Sequence, residues 1–363
     1  VSEFDVDGIR LDAADVLDFD FMRMLRRTAE EVKPDFWLMG EVIHGDYSRW
    51  VNGETLHSVT NYALHKALYS GHNDHNYFEI AHTVKYLQNM GNLDLYNFVD
   101  NHDVERIYTK LSNKAHFTPV HILLYTLPGV PSIYYGSEFG IEGRKERSSD
   151  DSLRPALSLD DYETALGDNP CTALIAALGQ IRQHTPALSY GSYAELHLTN
   201  RQFAFARDLN DVRVVVTVNN DDNAASMDLP AGNAVEYIGA LSGQKVAVQD
   251  GRINVTVPAN SGEIWVPAGD MPEYKPFKVE ISVKEETVTD EESIPADSEA
   301  PSSATEPVHF DPNKSPEDMS VAELQAAILA KMANNGPVSD QMKKTVNENI
   351  WHDSLVNWLK SFR

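Results

Sequence analysis

The stretch Val6-Asp7-Gly8-Ile9-Arg10-Leu11-Asp12-Ala13-Ala14-Asp15 decides how the rest of the chain is read. Val6, Ile9 and Leu11 are apolar and mostly β-branched, which predicts a short buried strand. Arg10 and Asp12 are two residues apart, so a strand places both on one face. A cation and a carboxylate on an otherwise apolar strand are costly to bury unless they pair or act. Beyond Asp12 the pattern turns helical. Phe21, Met24 and Leu25 recur at helical spacing, and Arg23, Arg26, Arg27, Glu30 and Glu31 form the wet side. Asp12 therefore sits where a strand hands over to a helix, the end that carries the chemistry in parallel α/β barrels. A purely structural Arg–Asp pair at a strand end fits this stretch equally well.

Two later runs repeat the arrangement. Phe36-Trp37-Leu38-Met39-Gly40-Glu41 is apolar and ends in a carboxylate, and Leu95-Tyr96-Asn97-Phe98-Val99-Asp100-Asn101-His102-Asp103 ends in Asp and His. Parallel strands with short connecting loops bring such ends together. Strand ends also carry Asp and Asn because those residues suit turns. Three acid-terminated strands, with Arg10 and His102 added, are harder to explain that way.

These motifs resemble the conserved regions of the α-amylase family, glycoside hydrolase family 13. Asp7 to Asp15 resembles the motif of the family's fourth barrel strand, Gly40-Glu41-Val42 that of the fifth, and Phe98 to Asp103 that of the seventh. Gly129-Val130-Pro131-Ser132-Ile133-Tyr134-Tyr135-Gly136-Ser137-Glu138 resembles the eighth-strand signature. The run from Gly40 to Asp46, with Trp50 beyond it, and Val59-Thr60-Asn61-Tyr62 at the sixth strand are most similar to the neopullulanase and cyclomaltodextrinase branch. The resemblance covers about the first half of the chain.

It implies retaining hydrolysis of α-glucosidic bonds in maltodextrin or starch-type α-glucans. Such chemistry needs a carboxylate nucleophile and a carboxylic acid about 5–5.5 Å apart. By resemblance Asp12 is the nucleophile, Glu41 the acid/base, and Asp103 the group that grips sugar hydroxyls as the ring flattens. Arg10 would orient Asp12 and keep it ionised, and His102 would donate to a sugar hydroxyl. Trp50 and Tyr62 are candidates to stack on sugar rings. Trp37, Tyr134 and Tyr135 fit a core role better. No cofactor is implied and no metal-ligand spacing stands out. Some family members bind calcium, mostly through regions not found here, which leaves calcium open for a longer parent.

Lys and Arg number 30 against 55 Asp and Glu, a net charge of −25, which argues against nucleic acid as a partner. No apolar run is long enough to cross a membrane, so the expected partner is an α-glucan, with self-association open in a parent protein. The single Cys171 excludes an intrachain disulfide and points to a reducing, cytoplasmic compartment.

The expected architecture is α/β. Residues 1–187 would supply strands four to eight of a TIM (β/α)8 barrel. Residues 188–269 would form an antiparallel β-sandwich, because Gln202–Leu209, Val212–Asn219, Val235–Ala240 and Lys245–Pro258 read as strands separated by polar turns. Residues 270–314, rich in Glu, Asp, Pro and Ser, read as an acidic disordered linker. Residues 315–363 read as a helical hairpin, opened by a capping box at Ser320 and Glu323. In the barrel part, Tyr77–Met90, Phe117–Leu127 and Thr172–His184 read as helices, the middle one apolar nearly all round. The motifs of the family's first three strands are not found, so the chain reads as the C-terminal part of a longer protein. A truncated, inactive product and a non-catalytic carbohydrate-binding relative are the alternatives. Five strands without the rest of a barrel leave bare edges. Expressed from Val1 to Arg363, the chain is expected to release no reducing sugar from starch, maltodextrin, cyclodextrin or pullulan, and to aggregate on heating. A cooperative unfolding transition with normal turnover would overturn that expectation.

Overall fold

The computed structural model describes residues 3–270, 314–316, 319–334 and 359. The chain divides into two compact units, Val1–Glu285 and Glu286–Arg363.

The first unit opens with alternating strands and helices. These are β1 (Gly8–Leu11), α1 (Phe19–Val32), β2 (Trp37–Gly40), β3 (Ser58–Val59), α2 (Tyr62–Asn73), α3 (Tyr77–Gln88) and β4 (Tyr96–Phe98). The short α4 (Ile107–Lys110), then α5 (Phe117–Thr126), β5 (Val130–Ser132), α6 (Ala165–Asp168), α7 (Pro170–His184) and α8 (Pro186–Tyr190) follow. β1 pairs with β2 and β2 with β3, both parallel, in the registers Arg10↔Met39 and Gly40↔Val59. A parallel bridge between Thr60 and Tyr96 joins β3 to β4, and β4 pairs parallel with β5. Spatial order thus follows chain order, and all five carboxyl ends share one edge. This is the barrel segment the sequence predicts. β1 pairs on one side only among the described residues, and its Ile9 is 44% exposed.

Local chemistry explains the tight strand ends. A Cβ on Gly40 would lie 2.5 Å from Leu56 and 2.7 Å from Ala14, so only glycine lets β2 pass this close to the loop after β1. Asn97, fully buried in β4, accepts from the Asn61 amide at 2.8 Å and donates to Pro128 O at 2.8 Å, which ties three strand regions together without an unpaired polar group.

The second part of this unit is all-β. β6 (Ser192–Leu198), β7 (Gln202–Leu209), β8 (Val212–Asn219), β9 (Ala225–Pro230), β10 (Glu236–Gly239), β11 (Lys245–Ala247), β12 (Arg252–Val257) and β13 (Ser261–Pro267) form two layers. One is an antiparallel sheet in the order β11-β10-β13-β8-β7-β6, and the other is the β9–β12 pair. The turn at Asp250-Gly251 divides the stretch Lys245–Pro258 into β11 and β12, and β6, β9 and β13 join the strands the pattern singled out. β8 is buried on both faces from Val214 onward, and valines fill most of that run. Val214, Val216 and Val218 belong to a core shared with α5 and α7, whereas Val215 packs with Trp265, Met227, Leu229 and Ile253.

α5 is the element that fuses the two parts. Nine of its residues are buried, as its uniformly apolar sequence predicts. Arg207 of β7 is 2% exposed and spends its guanidinium on carbonyls, reaching Thr126 O at 2.6 Å and Gly191 O at 2.9 Å. Burial pulls its pKa down to about 10.

In the second unit, α9 (Val321–Asn334) begins with the expected capping box. Ser320 Oγ accepts from the Glu323 amide at 3.3 Å, and Glu323 Oε2 accepts from the Ser320 amide at 2.7 Å. Nearly all of the expected linker, and the second helix of the hairpin apart from Leu359, lie outside the described residues.

Arg207→Met should lower stability by about 2–3 kcal/mol, because two buried carbonyl oxygens lose charged donors. Arg252→Met, which breaks an exposed pair with Asp228, should cost under about 1 kcal/mol. Denaturant midpoints of the two variants check the contrast; equal effects would contradict the role assigned to Arg207.

Candidate active site at the carboxyl ends of the barrel strands

β1 ends at Leu11, and the chain turns at once through Ala13, whose φ of 44° is left-handed, into a single 3-10 turn. That turn leaves the Asp12 side chain 81% exposed at the strand's carboxyl end. Glu41 follows β2 directly, and its side chain is only 11% exposed. Thr60 fixes the backbone here, accepting from the Val42 amide at 2.9 Å and donating to Val42 O at 3.0 Å.

Arg10 joins the two acids. Its Nη1 lies 3.1 Å from Asp12 Oδ1 and its Nη2 3.1 Å from Glu41 Oε2. One guanidinium thus spans a solvent-facing and a buried carboxylate on neighbouring strands. The other oxygen of Glu41 accepts from Tyr62 Oη at 3.3 Å, and Tyr62 in turn accepts from the Asn101 amide at 3.2 Å. Burial pushes the Tyr62 phenol up to about 12, so it remains a donor across the physiological range. Asn101 Oδ1 accepts from the Asp103 amide at 2.9 Å and so links the Glu41 network to the loop after β4.

Asp103 sits 3.1 Å from His102 Nε2 through one oxygen and 2.8 Å from Arg154 through the other. Arg154 also donates to His102 O at 3.1 Å and pairs with Asp150 at 3.2 Å. Among the described residues, no group of three or more His, Cys, Asp or Glu is disposed to hold a metal ion.

Asp12, Glu41, Asp103, Arg10, His102 and Tyr62 therefore meet at one end of the sheet. Tyr62 meets them through its hydroxyl, which holds Glu41, and its ring packs edge-on against Phe98 at 4.9 Å. Trp50 is a correction. It is 4% exposed and packs against Phe19 at 6.3 Å, with the Arg49 guanidinium 5.1 Å over its ring. The 3-10 turn Tyr47–Arg49 rolls it into the core with Val51 and Leu56, so no ring face is left for a sugar. Trp37 stands at the amino end of β2, away from the acids.

Two residues of the site region, Arg106 and Asp100, carry roles that spacing does not reveal. Arg106, fully buried, donates to Tyr135 O at 2.6 Å, Ser137 Oγ at 3.1 Å and Leu153 O at 2.8 Å. Its guanidinium also lies 4.2 Å over the Tyr134 ring. Asp100 accepts from Ser137 Oγ at 2.8 Å and from the Ile107 amide at 2.7 Å, and burial raises its carboxyl to about 6. Arg106 thereby ties the loops after β4 and β5 to the segment that delivers Arg154. Its place three residues after Asp103 was the available signal, but burial is not legible from spacing.

Fold and site together define a TIM-barrel segment that carries a carboxylate cluster on its carboxyl-end face, followed by a β-sandwich. Residues 1–173 match the family description "Alpha amylase, catalytic domain", and residues 191–265 match "Alpha-amylase C-terminal domain". The chain belongs to the α-amylase family. It is 30% identical over 227 residues to a cyclomaltodextrinase of Thermoanaerobacter pseudethanolicus, covering 61% of this chain and 38% of that protein. To neopullulanase 2 of Thermoactinomyces vulgaris it is 27% identical over 270 residues, covering 71% of this chain and 45% of that one. The chain thus spans less than half the length of either relative. An Anoxybacillus α-amylase structure shares the fold with a TM-score of 0.65 at 23% identity, over 76% of this chain and 61% of that one. The α-amylase of Geobacillus thermoleovorans, solved in complex with acarbose, gives a TM-score of 0.63 at 21% identity, over 73% and 60% respectively.

Arg106→Met should cost about 3–5 kcal/mol, since it removes a buried cation from a carboxylate-linked network and strands three acceptors. Arg144→Met, at an 80% exposed guanidinium, should cost well under about 1 kcal/mol. Urea unfolding of both proteins decides, and a mild Arg106 variant would show the network to be dispensable.

Proposed function

We propose that the protein carrying this chain hydrolyses α-glucosidic bonds in maltodextrin- or cyclodextrin-type α-glucans with retention. Asp12 serves as nucleophile and Glu41 as acid/base. The observation that carries the reading is the shared guanidinium of Arg10, which holds an open and a buried carboxylate 3.1 Å from its two ends. Two carboxylates gathered by one guanidinium at neighbouring strand ends are the pair that glycoside cleavage needs. The relatives named cyclomaltodextrinase and neopullulanase, and the neighbour bound to acarbose, support an α-glucan substrate.

The roles fit a two-step reaction. In the first step Glu41 gives its proton to the leaving oxygen while Asp12 attacks the anomeric carbon and forms the glycosyl ester. In the second, Glu41 takes a proton from the water that attacks the ester, and Asp12 is released. Tyr62 holds Glu41 in place throughout. Asp103, supported by His102, is positioned to accept from sugar hydroxyls, a contact that strengthens catalysis if it tightens in the transition state.

A second reading concerns the chain taken by itself. β1, which carries Arg10 and precedes Asp12, has a strand on only one side among the described residues, and Asp12 is open to solvent. That arrangement favours a chain that keeps the motifs without turnover.

In the protein that carries this chain, Asp12→Asn and Glu41→Gln should each lower kcat on maltodextrin by about 10³-fold or more, with KM changed far less. Initial products should be α-anomers by NMR. Near-normal turnover by Asp12→Asn, free of wild-type enzyme, would rule out the nucleophile.

A further inference from the structure

Away from the strand ends, buried histidines gather where the barrel segment meets the β-domain. His72 closes α2 and is fully buried, His116 precedes α5 and is 1% exposed, and His121 lies within α5 and is fully buried. His75 occupies the turn between α2 and α3 with a strained φ of 49°. The His116 ring lies 5.6 Å from that of His72 and 5.3 Å from that of His75.

The cluster is woven into the links across this seam. His75 Nδ1 lies 2.9 Å from Asn220 O and 3.0 Å from an Arg201 guanidinium nitrogen. Asn220 donates to Gly71 O at 3.4 Å, and the Tyr77 amide donates to Asn200 O at 2.9 Å. His72 Nδ1 sits 2.6 Å from Leu68 O and its Nε2 3.3 Å from Tyr77 Oη, which suits a neutral ring with its proton on Nδ1. Neither nitrogen of His116 has a partner at full hydrogen-bond geometry, and Nε2 of His121 has none either. A charge on these rings would be buried with little to compensate it.

We propose that His72 and His116, which pack together and against the α2–α3 turn, form an acid-sensitive latch, closed while both rings are neutral, which loosens the seam between barrel segment and β-domain when protons are taken up at mildly acidic pH. The surrounding charges do not remove the penalty. Burial and His75, from the α2–α3 turn, oppose a charged His116, and they outweigh the Asn260 side chain, the Asn220 backbone and Asp222, which favour it from the β-domain. Asp221 is engaged by Arg201 at 3.3 Å. His116, His121 and His75 all disfavour charge on His72.

The direction follows from linkage. Burial holds His72 at about 3 and His121 at about 4, below the ordinary 6.5, and His116 is also lowered. Above 6.5 the rings are neutral whether folded or unfolded. As pH falls through that value the unfolded or opened chain binds protons first, so stability is lost from there downward.

The test is hydrogen exchange by mass spectrometry on the full chain near pH 7.5 and near pH 5, normalised to unstructured-peptide rates at each pH. Peptides covering 71–77 and 199–222 should exchange at least about tenfold faster at the lower pH, relative to the α1 peptide as internal reference. His116→Gln should remove half or more of that acceleration, and His82→Gln, on an exposed position of α3, should remove none. If His116→Gln fails to fold, the wild-type exchange profile across the pH range decides. Seam peptides that accelerate no more than α1, or glutamine variants that keep the full acid response, would overturn the latch.

Discussion

Parallel pairing of consecutive strands is the constraint on which this structure depends. A parallel strand must be reached by a crossover, so each of β1 to β5 returns through intervening chain before the next begins. The carboxyl ends then lie along one edge, and whatever follows each strand lands beside its neighbours. The Arg10–Asp12 pair, Glu41 and Asp103 come from three strand ends far apart in sequence, and parallel pairing gathers them on one face. The two-residue period of the strand does the rest, because it puts Arg10 on the same face as Asp12.

Buried polar groups hold that geometry, and they come in two kinds. Around the site, Asn97, Tyr62, Asn101 and Asp100 bond to carbonyls, amides and one another, and Arg106 engages three acceptors through its two terminal nitrogens while its Nε is left unpaired. These bonds fix loops that have no regular structure of their own. At the seam between barrel segment and β-domain the unpaired groups include ionisable rings. His116, His121, Asn220 and Asn260 each keep a buried polar atom without a partner. The first arrangement resists change, whereas the second ties stability to protonation. α5 lies between them, with an apolar surface on all sides that serves both parts at once.

Much of the fold was written in local pattern. Alternating apolar runs and amphipathic helices announced the βα succession, and the strand-like stretches from Gln202 to Pro258 announced the β-domain. Capping at Ser320 and Glu323, the turn at Asp250-Gly251 and the all-round apolar character of α5 are short-range features that each segment specifies for itself. The acids at strand ends were legible for the same reason, since their chemistry and position are both local.

Tertiary structure decided what depends on neighbours distant in the chain. Trp50 looks like a sugar platform in sequence, yet a single 3-10 turn rotates it under Phe19 and away from solvent. Tyr62 looks like a second platform and serves through its hydroxyl, because Glu41 and Asn101 arrive from other strands. Arg106 and Arg154 carry the same side chain into two different settings. One is fully buried against three loops, and the other closes over Asp103. A side chain's type sets what it can bond, and its period sets which face it shares. Its burial and partners are set by chain segments that no local window contains.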